Sequence, residues 1–196
     1  MAFIRVIPEE EAEAQVRDLY EQYRAPWGGV DNILKIHSLL PLTLEPHIDL
    51  YRMMMFGRGP LTRREREMLA TVVSRENGCS YCVHHHSDAL FRLTRDSAFA
   101  AQLRSEDDTG QLSPAERSML EFARHLTRAP AADHSPRVQE LKDHGFTEEA
   151  ILQMTLIVGY FNFVNRIANG LGVELEPYWG ESGFSEPGTP MSHDPS

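Results

Sequence analysis

Thr62-Arg63-Arg64-Glu65-Arg66-Glu67-Met68-Leu69-Ala70-Thr71-Val72-Val73-Ser74-Arg75-Glu76-Asn77-Gly78-Cys79-Ser80-Tyr81-Cys82-Val83-His84-His85-His86 is the stretch that decides how this chain folds. Thr62 with Glu65 three positions on has the form of a capping box, in which each side chain satisfies the other's backbone N–H. Behind it, Met68, Leu69, Val72 and Val73 recur at helical spacing. Asn77-Gly78 reads as a left-handed helix stop, since glycine adopts positive φ without steric cost. A second helix is predicted to begin near Cys79 and run through Ala89, Leu90 and Leu93. Two helices with so short a break between them are expected to fold back as a hairpin.

The same stretch carries the chemistry. On a helix starting near Cys79, residues Cys79, Cys82 and His86 stand at i, i+3 and i+7 and share one face. The two sulfurs can therefore meet, with the imidazole a turn beyond Cys82. A first helical turn also offers unpaired N–H groups and the positive end of the helix dipole, which favour a thiolate. Along a straight helix, Glu67 would lie roughly 18 Å from Cys79. Folded at Asn77-Gly78, Glu67 and His86 stand roughly 15 Å and 12 Å from the turn and come to similar heights. A carboxylate, an imidazole and a thiol then fall into the order of an orienting group, a base and a nucleophile.

Working outward, helix punctuation recurs along the whole chain. Pro8 and the acids Glu9 to Glu11 suggest a helix start, with Val16, Leu19, Tyr20 and Tyr23 on the apolar side and Pro26-Trp27-Gly28-Gly29 at the end. Asp31 suits a cap for a short segment, and a further helix is predicted from Pro41 through Tyr51 and the methionine-rich run to Phe56, broken by Gly57-Arg58-Gly59-Pro60. The Met53-Met54-Met55 run reads as adaptable core or subunit contact. Ser113-Pro114-Ala115-Glu116 repeats the capping signature, Ser135-Pro136 opens another helix that Gly145 stops, and Thr147 caps the last. That last helix is apolar nearly all round from Ile151 to Phe161, the mark of a helix buried on most faces. Asn162, Asn165, Arg166 and Asn169 then form a polar stripe, read as a subunit interface or a cavity wall. No stretch alternates as a strand does, so the expected class is all-α, with one domain over residues 1–175 and an extended arm and loose tail over 176–196.

Composition narrows the partners. The chain has 196 residues, 41% hydrophobic and 24% charged, enough for a core without staples. A formal net charge of −10 speaks against nucleic acid, whose binding needs Lys and Arg to neutralise phosphates. No stretch approaches the ~20 apolar residues of a membrane span, and the amino-terminal apolar run turns acidic too soon for a signal peptide. A cytoplasmic protein with no membrane partner is expected. In a reducing compartment, two cysteines confined to one Cys-x-x-Cys point to redox or metal chemistry rather than a permanent cross-link.

Glu67, a Cys-x-x-Cys twelve positions on, and a histidine four past the second cysteine together resemble the AhpD-like branch of the carboxymuconolactone decarboxylase superfamily. The longer pattern, including Phe161-Asn162-Phe163-Val164-Asn165-Arg166-Ile167-Ala168-Asn169-Gly170-Leu171-Gly172-Val173, is similar to its "uncharacterised peroxidase-related" subgroup, over roughly Pro8 to Pro177. The resemblance implies an all-α helical bundle that assembles into trimers or hexamers. It implies Cys82 as the peroxidatic thiolate, deprotonated through His86 with Glu67 behind it, and Cys79 as the resolving thiol. It implies a hydroperoxide substrate and a dithiol or lipoyl-type reductant protein. Where the hydroperoxidase proper has a histidine between the cysteines, this chain has Tyr81, which near neutral pH can donate a hydrogen bond or shape the pocket but not act as a base. Asn162, Asn165 and Arg166 join Tyr81 as candidate pocket residues.

Other uses of the same residues stay open at this level. Zinc could be held by Cys79 and Cys82 with His85 or His86, although a structural site ordinarily draws its second pair of ligands from a separate segment. The expectation is no metal and no organic cofactor. Glu67 and His86 could serve a decarboxylase-like or hydratase-like reaction in which the cysteines are dispensable, and a redox sensor could use the disulfide without turnover. His84 and His85 read as surface histidines.

Overall fold

The computed structural model describes residues 2–105 and 112–179, and among these all regular structure is helical. Helices α1 (Ala14–Gln22), α2 (Asn32–Lys35), α3 (Leu44–Phe56), α4 (Arg63–Glu76), α5 (Ser80–Thr94), α6 (Ser97–Arg104), α7 (Pro114–Arg128), α8 (Ser135–Asp143) and α9 (Glu148–Leu171) follow one another, with short 3₁₀ turns at Glu9–Glu11, Ile36–Leu39 and Pro41–Thr43. Helix α4 is the central rod. Every residue from Arg66 to Ser74 is buried, and it packs against α5, α7 and α9. An all-round buried helix can still carry a glutamate and an arginine when each meets a partner inside. Arg66 does so by donating to the carbonyls of Leu61, Met54 and Gly57, tying the α3–α4 connection to the rod.

Both expected capping boxes are present, Thr62 with Glu65 and Ser113 with Glu116, and Thr147 accepts from the Ala150 N–H. The end of α4 is a Schellman turn: the Gly78 N–H reaches the Arg75 carbonyl at 2.9 Å and the Cys79 N–H reaches the Ser74 carbonyl at 2.8 Å. Gly78 has φ +62°. Cys79 then becomes the N-cap residue of α5, so the helix end and the next helix start share one residue. Helix α9 clamps this turn. Asn165 Oδ1 accepts from Asn77 Nδ2 at 3.0 Å, Asn165 Nδ2 donates to Ser74 Oγ at 3.0 Å, and Asn169 Nδ2 donates to the Asn77 carbonyl at 2.9 Å.

Three local expectations change. The acids after Pro8 form only the 3₁₀ turn, and α1 starts later, at Ala14. The segment from Pro41 begins as a 3₁₀ turn before α3. Helix α6 was not foreseen: α5 ends on Arg95 at φ 57°, a left-handed position without the glycine that normally flags it. Asp96 then caps α6, which buries Phe99, Ala100 and Leu103. In the expected arm, Glu176 is 2% exposed. The part of the expected tail at 180–196 lies outside the described residues. No helix among the described residues is long and apolar enough to cross a membrane.

A Cβ placed on Gly78 meets no atom within 4 Å, so substitution there tests the backbone alone. Gly78→Ala is expected to cost about 1 kcal/mol in urea denaturation, and Gly78→Asn clearly less, because asparagine tolerates the left-handed region. Equal stability of wild type and both variants would contradict the turn.

Candidate functional site

Glu67, a carboxylate with no exposed surface, is held from two sides. Arg63, one turn earlier on α4, brings Nη2 to 2.6 Å from Oε1. His86 on α5 brings Nδ1 to 2.7 Å from Oε2. Arg63 is itself fixed by a hydrogen bond to the Met55 carbonyl at 2.9 Å and by the Phe56 ring, 3.7 Å from its guanidinium carbon. With Nδ1–H given to the carboxylate, Nε2 is the basic nitrogen of His86. The ring is further fixed by the edge-on Phe161 ring at a centroid distance of 4.6 Å.

Cys79 and Cys82 are free thiols, both buried. They are not equivalent. Cys82 borders a cavity of about 50 Å³, whose walls include His86, Tyr51, Tyr160, Tyr81 and Phe161, while Cys79 lies outside it. A cavity of that size admits a small substrate head or one to two waters. On the other side, the Asn165 amide lies near both sulfurs and acts to lower both thiols. The two thiols also interact with each other through a hydrogen bond that acts in opposite directions on the two groups. That bond lowers the Cys79 thiol to about 7 against the opposing effect of burial, with the Cys82 backbone amide, Asn165 and the nearby His85 adding to it. The Cys82 thiol is pushed well up by its hydrogen bond with Cys79, by burial and by the Cys79 charge. The direction at Cys82 is thus the reverse of the lowering expected from the helix start, and the lowered thiol is Cys79.

The phenols around the cavity stay protonated. Burial raises Tyr51, Tyr81 and Tyr160 above the ordinary tyrosine value, assisted by Glu67 at Tyr51, by Glu176 at Tyr81 and by Tyr51 at Tyr160. Tyr81 accepts the Ile33 N–H at 3.3 Å and donates to Glu176 Oε1 at 2.6 Å.

Of the residues singled out in the sequence, Cys82, His86 and Tyr81 border the cavity, Glu67 stands directly behind His86, and Cys79 and Asn165 flank the far side of Cys82. Asn162 and Arg166 do not reach it. They line a separate groove between α7 and α9 with Leu126, Thr127 and Gly159. The stripe on α9 was read as an interface or a cavity wall, yet its inner residues serve the turn, since amides match the donors and acceptors of a helix end. His85, read as a surface histidine, borders the cavity and holds Glu176 at 2.9 Å. Arg63 and Glu176 were missed. Arg63 had a signal, an arginine four residues before a glutamate on one helix face, whereas Glu176 stands in the expected arm and had none. Among the described residues no three His, Cys, Asp or Glu side chains gather as a metal-ligand set.

The carboxymuconolactone decarboxylase family model matches residues 44–124, from the start of α3 through the whole of the dithiol helix. A peroxidase-related protein from Silicibacter sp. TM1040 is 29% identical, with 89% of each chain covered and a TM-score of 0.77. A peroxidase-related protein from Ralstonia eutropha JMP134, described as an alkylhydroperoxidase AhpD core, is 25% identical, with 90% of this chain and 93% of that chain covered and a TM-score of 0.81. The protein YdfG of Bacillus subtilis (strain 168) is 25% identical over 115 residues, which is 59% of this chain and 78% of YdfG. The helical fold is thus shared with these two structures over about nine-tenths of the chain, and the match to the carboxymuconolactone decarboxylase family spans the α4–α5 segment that carries Glu67, Cys79, Cys82 and His86.

Proposed function

We propose that the protein is a thiol-dependent hydroperoxide reductase that cycles between the Cys79–Cys82 dithiol and its disulfide, without a bound organic cofactor. One observation carries the reading: of two hydrogen-bonded thiols, Cys82 opens onto a cavity shared with a histidine whose second nitrogen is locked by a buried carboxylate. Access, not resting ionisation, assigns the roles. Cys79 holds the lower thiol, but only Cys82 meets the cavity.

His86 Nε2 takes the Cys82 proton as the peroxide binds, with Glu67 stabilising the imidazolium. The thiolate attacks the terminal peroxide oxygen; an S–O bond forms, the O–O bond breaks, and the alkoxide leaves and is protonated to an alcohol. Cys79 then attacks the sulfenic sulfur, forming the S–S bond and expelling hydroxide, which takes the proton held on His86. Two thiols and one hydroperoxide thus give a disulfide, an alcohol and water. An external dithiol, such as a lipoyl group on a partner protein, reduces the pair and is itself oxidised. The reducing cytoplasm would keep the cycle primed. The names of the Silicibacter and Ralstonia proteins support the peroxidase-type reading.

Cys82→Ser is expected to abolish peroxide consumption driven by dihydrolipoamide, while Cys79→Ser should consume about one equivalent per chain and accumulate a sulfenic acid that dimedone traps. Unchanged turnover in either variant would overturn the proposal. Glu67→Gln should slow Cys82 oxidation by at least about tenfold, because the imidazolium loses its counter-charge. In a thiolate absorbance titration, wild type should gain its first thiolate near the Cys79 value of about 7, so turnover rises with pH through that point. Cys82→Ala removes that hydrogen bond, and the Cys79 titration should move up towards the ordinary ~8.5.

A further inference from the structure

The proposed cycle leaves one proton unassigned, the one the departing alkoxide needs while the thiol's own proton sits on His86. A second histidine–carboxylate pair lies across the same cavity. Glu176, on the arm after α9, has its Oε1 bound by the Tyr81 hydroxyl at 2.6 Å and the Asn32 backbone N–H at 2.8 Å. Its Oε2 meets His85 Nε2 at 2.9 Å and the Trp179 indole N–H at 3.1 Å. Tyr81, Asn32 and Trp179 are neutral donors to this buried carboxylate, and the cationic form of His85 adds the one charge-assisted bond. The His85 ring lies against the Tyr81 ring, with centroids 4.5 Å apart, and meets the edge of Trp179 at 5.0 Å.

We propose that the arm completes the active site: Glu176 holds His85 as an imidazolium at the wall of the Cys82 cavity, and His85 is the acid that protonates the departing alkoxide. The proposal rests on the peroxidase reading and deepens it. As the O–O bond breaks, its electron pair leaves on the alkoxide oxygen and His85 gives up a proton to make the alcohol. With Cys79 already the more acidic thiol, His85 regains its proton from solvent once the disulfide has formed, so the Cys82 proton held on His86 ends on water and the solvent-derived proton ends on the alcohol. The surroundings support the charged form. Burial opposes it, but Glu176, Asp31 and Asp88 outweigh burial and raise the imidazole above its ordinary value, and the Glu176 carboxyl is lowered by its bonds to His85 and Tyr81 despite its burial. The other titratable groups bordering this cavity are Tyr51, Tyr81, Tyr160, Cys82, His47 and His86.

An acid at the leaving group matters only when the leaving group is basic. Stopped-flow oxidation of the reduced dithiol by tert-butyl hydroperoxide, which releases a strongly basic alkoxide, is therefore compared with oxidation by peracetic acid, which releases a carboxylate that needs no proton. His85→Asn is expected to slow the first reaction by at least about tenfold and the second by less than about twofold. Glu176→Gln, which keeps the hydrogen bonds and removes the charge, should show the same selectivity, with its tert-butyl hydroperoxide rate falling off at a lower pH than in wild type. Equal losses with both oxidants, or no loss in either variant, overturn the role of His85. A wild-type protein whose dithiol reacts with neither oxidant overturns the peroxidase reading itself, and this proposal with it.

Discussion

Where α4 gives way to α5, a handful of polar contacts at Asn77, Gly78 and Cys79 fixes the geometry on which everything else depends. The Schellman turn uses the Cys79 N–H to close α4, and Asn165 and Asn169 on α9 grip the side chain and carbonyl of Asn77. Successive helical residues are rotated by about 100° about the axis, so a slip of one residue at this turn would swing His86 away from Glu67. The 2.7 Å contact between His86 and Glu67 is thus a consequence of a helix stop several residues distant from both. The asparagines are worth burying because a helix end presents both free carbonyls and free N–H groups, and a side-chain amide can answer both.

The same clamp shapes the dithiol. Asn165 is hydrogen-bonded to Ser74 and acts to lower both thiols, so the amide that fixes the backbone also favours negative charge on sulfur. A buried thiolate is costly unless it is hydrogen-bonded. Here the second thiol provides that bond, which lowers the Cys79 thiol and raises that of Cys82. Ionisation and access are consequently divided between the two sulfurs: the more acidic one is enclosed, and the one facing the cavity is protonated until a base takes its proton. His86 is positioned for that step by a carboxylate which Arg63 in turn holds.

How much of this could be read from the sequence depends on the range of the interaction. The meeting of Glu67 with His86 was legible because it follows from helix rise and one glycine-marked stop. Capping boxes at Thr62 and Ser113 were legible because they are local. Helix α6 was hidden because Arg95, not glycine, takes the left-handed position before it. The α9 stripe was visible as a pattern, but its partner, the α4–α5 turn, is 85 or more residues away in the chain. Glu176 was hardest: its partner Asn32 is 144 residues distant, in a segment whose proline and glycine content reads as loose.

The carboxylates around the cavity show why such a segment had to be ordered. Glu67 faces Arg63 and His86, Asp31 accepts the Trp27 indole N–H at 2.8 Å, and Glu176 accepts from Tyr81, His85, Trp179 and Asn32. An acid left without such donors beside an apolar cavity would become protonated rather than stay charged. Glu67 and Glu176 also draw partners from distant parts of the chain, His86 and His85, and those partners are rings that border the Cys82 cavity. Ordering the arm at Glu176 and orienting His85 are one event, because the carboxylate that holds down the arm is the one that orients the imidazole.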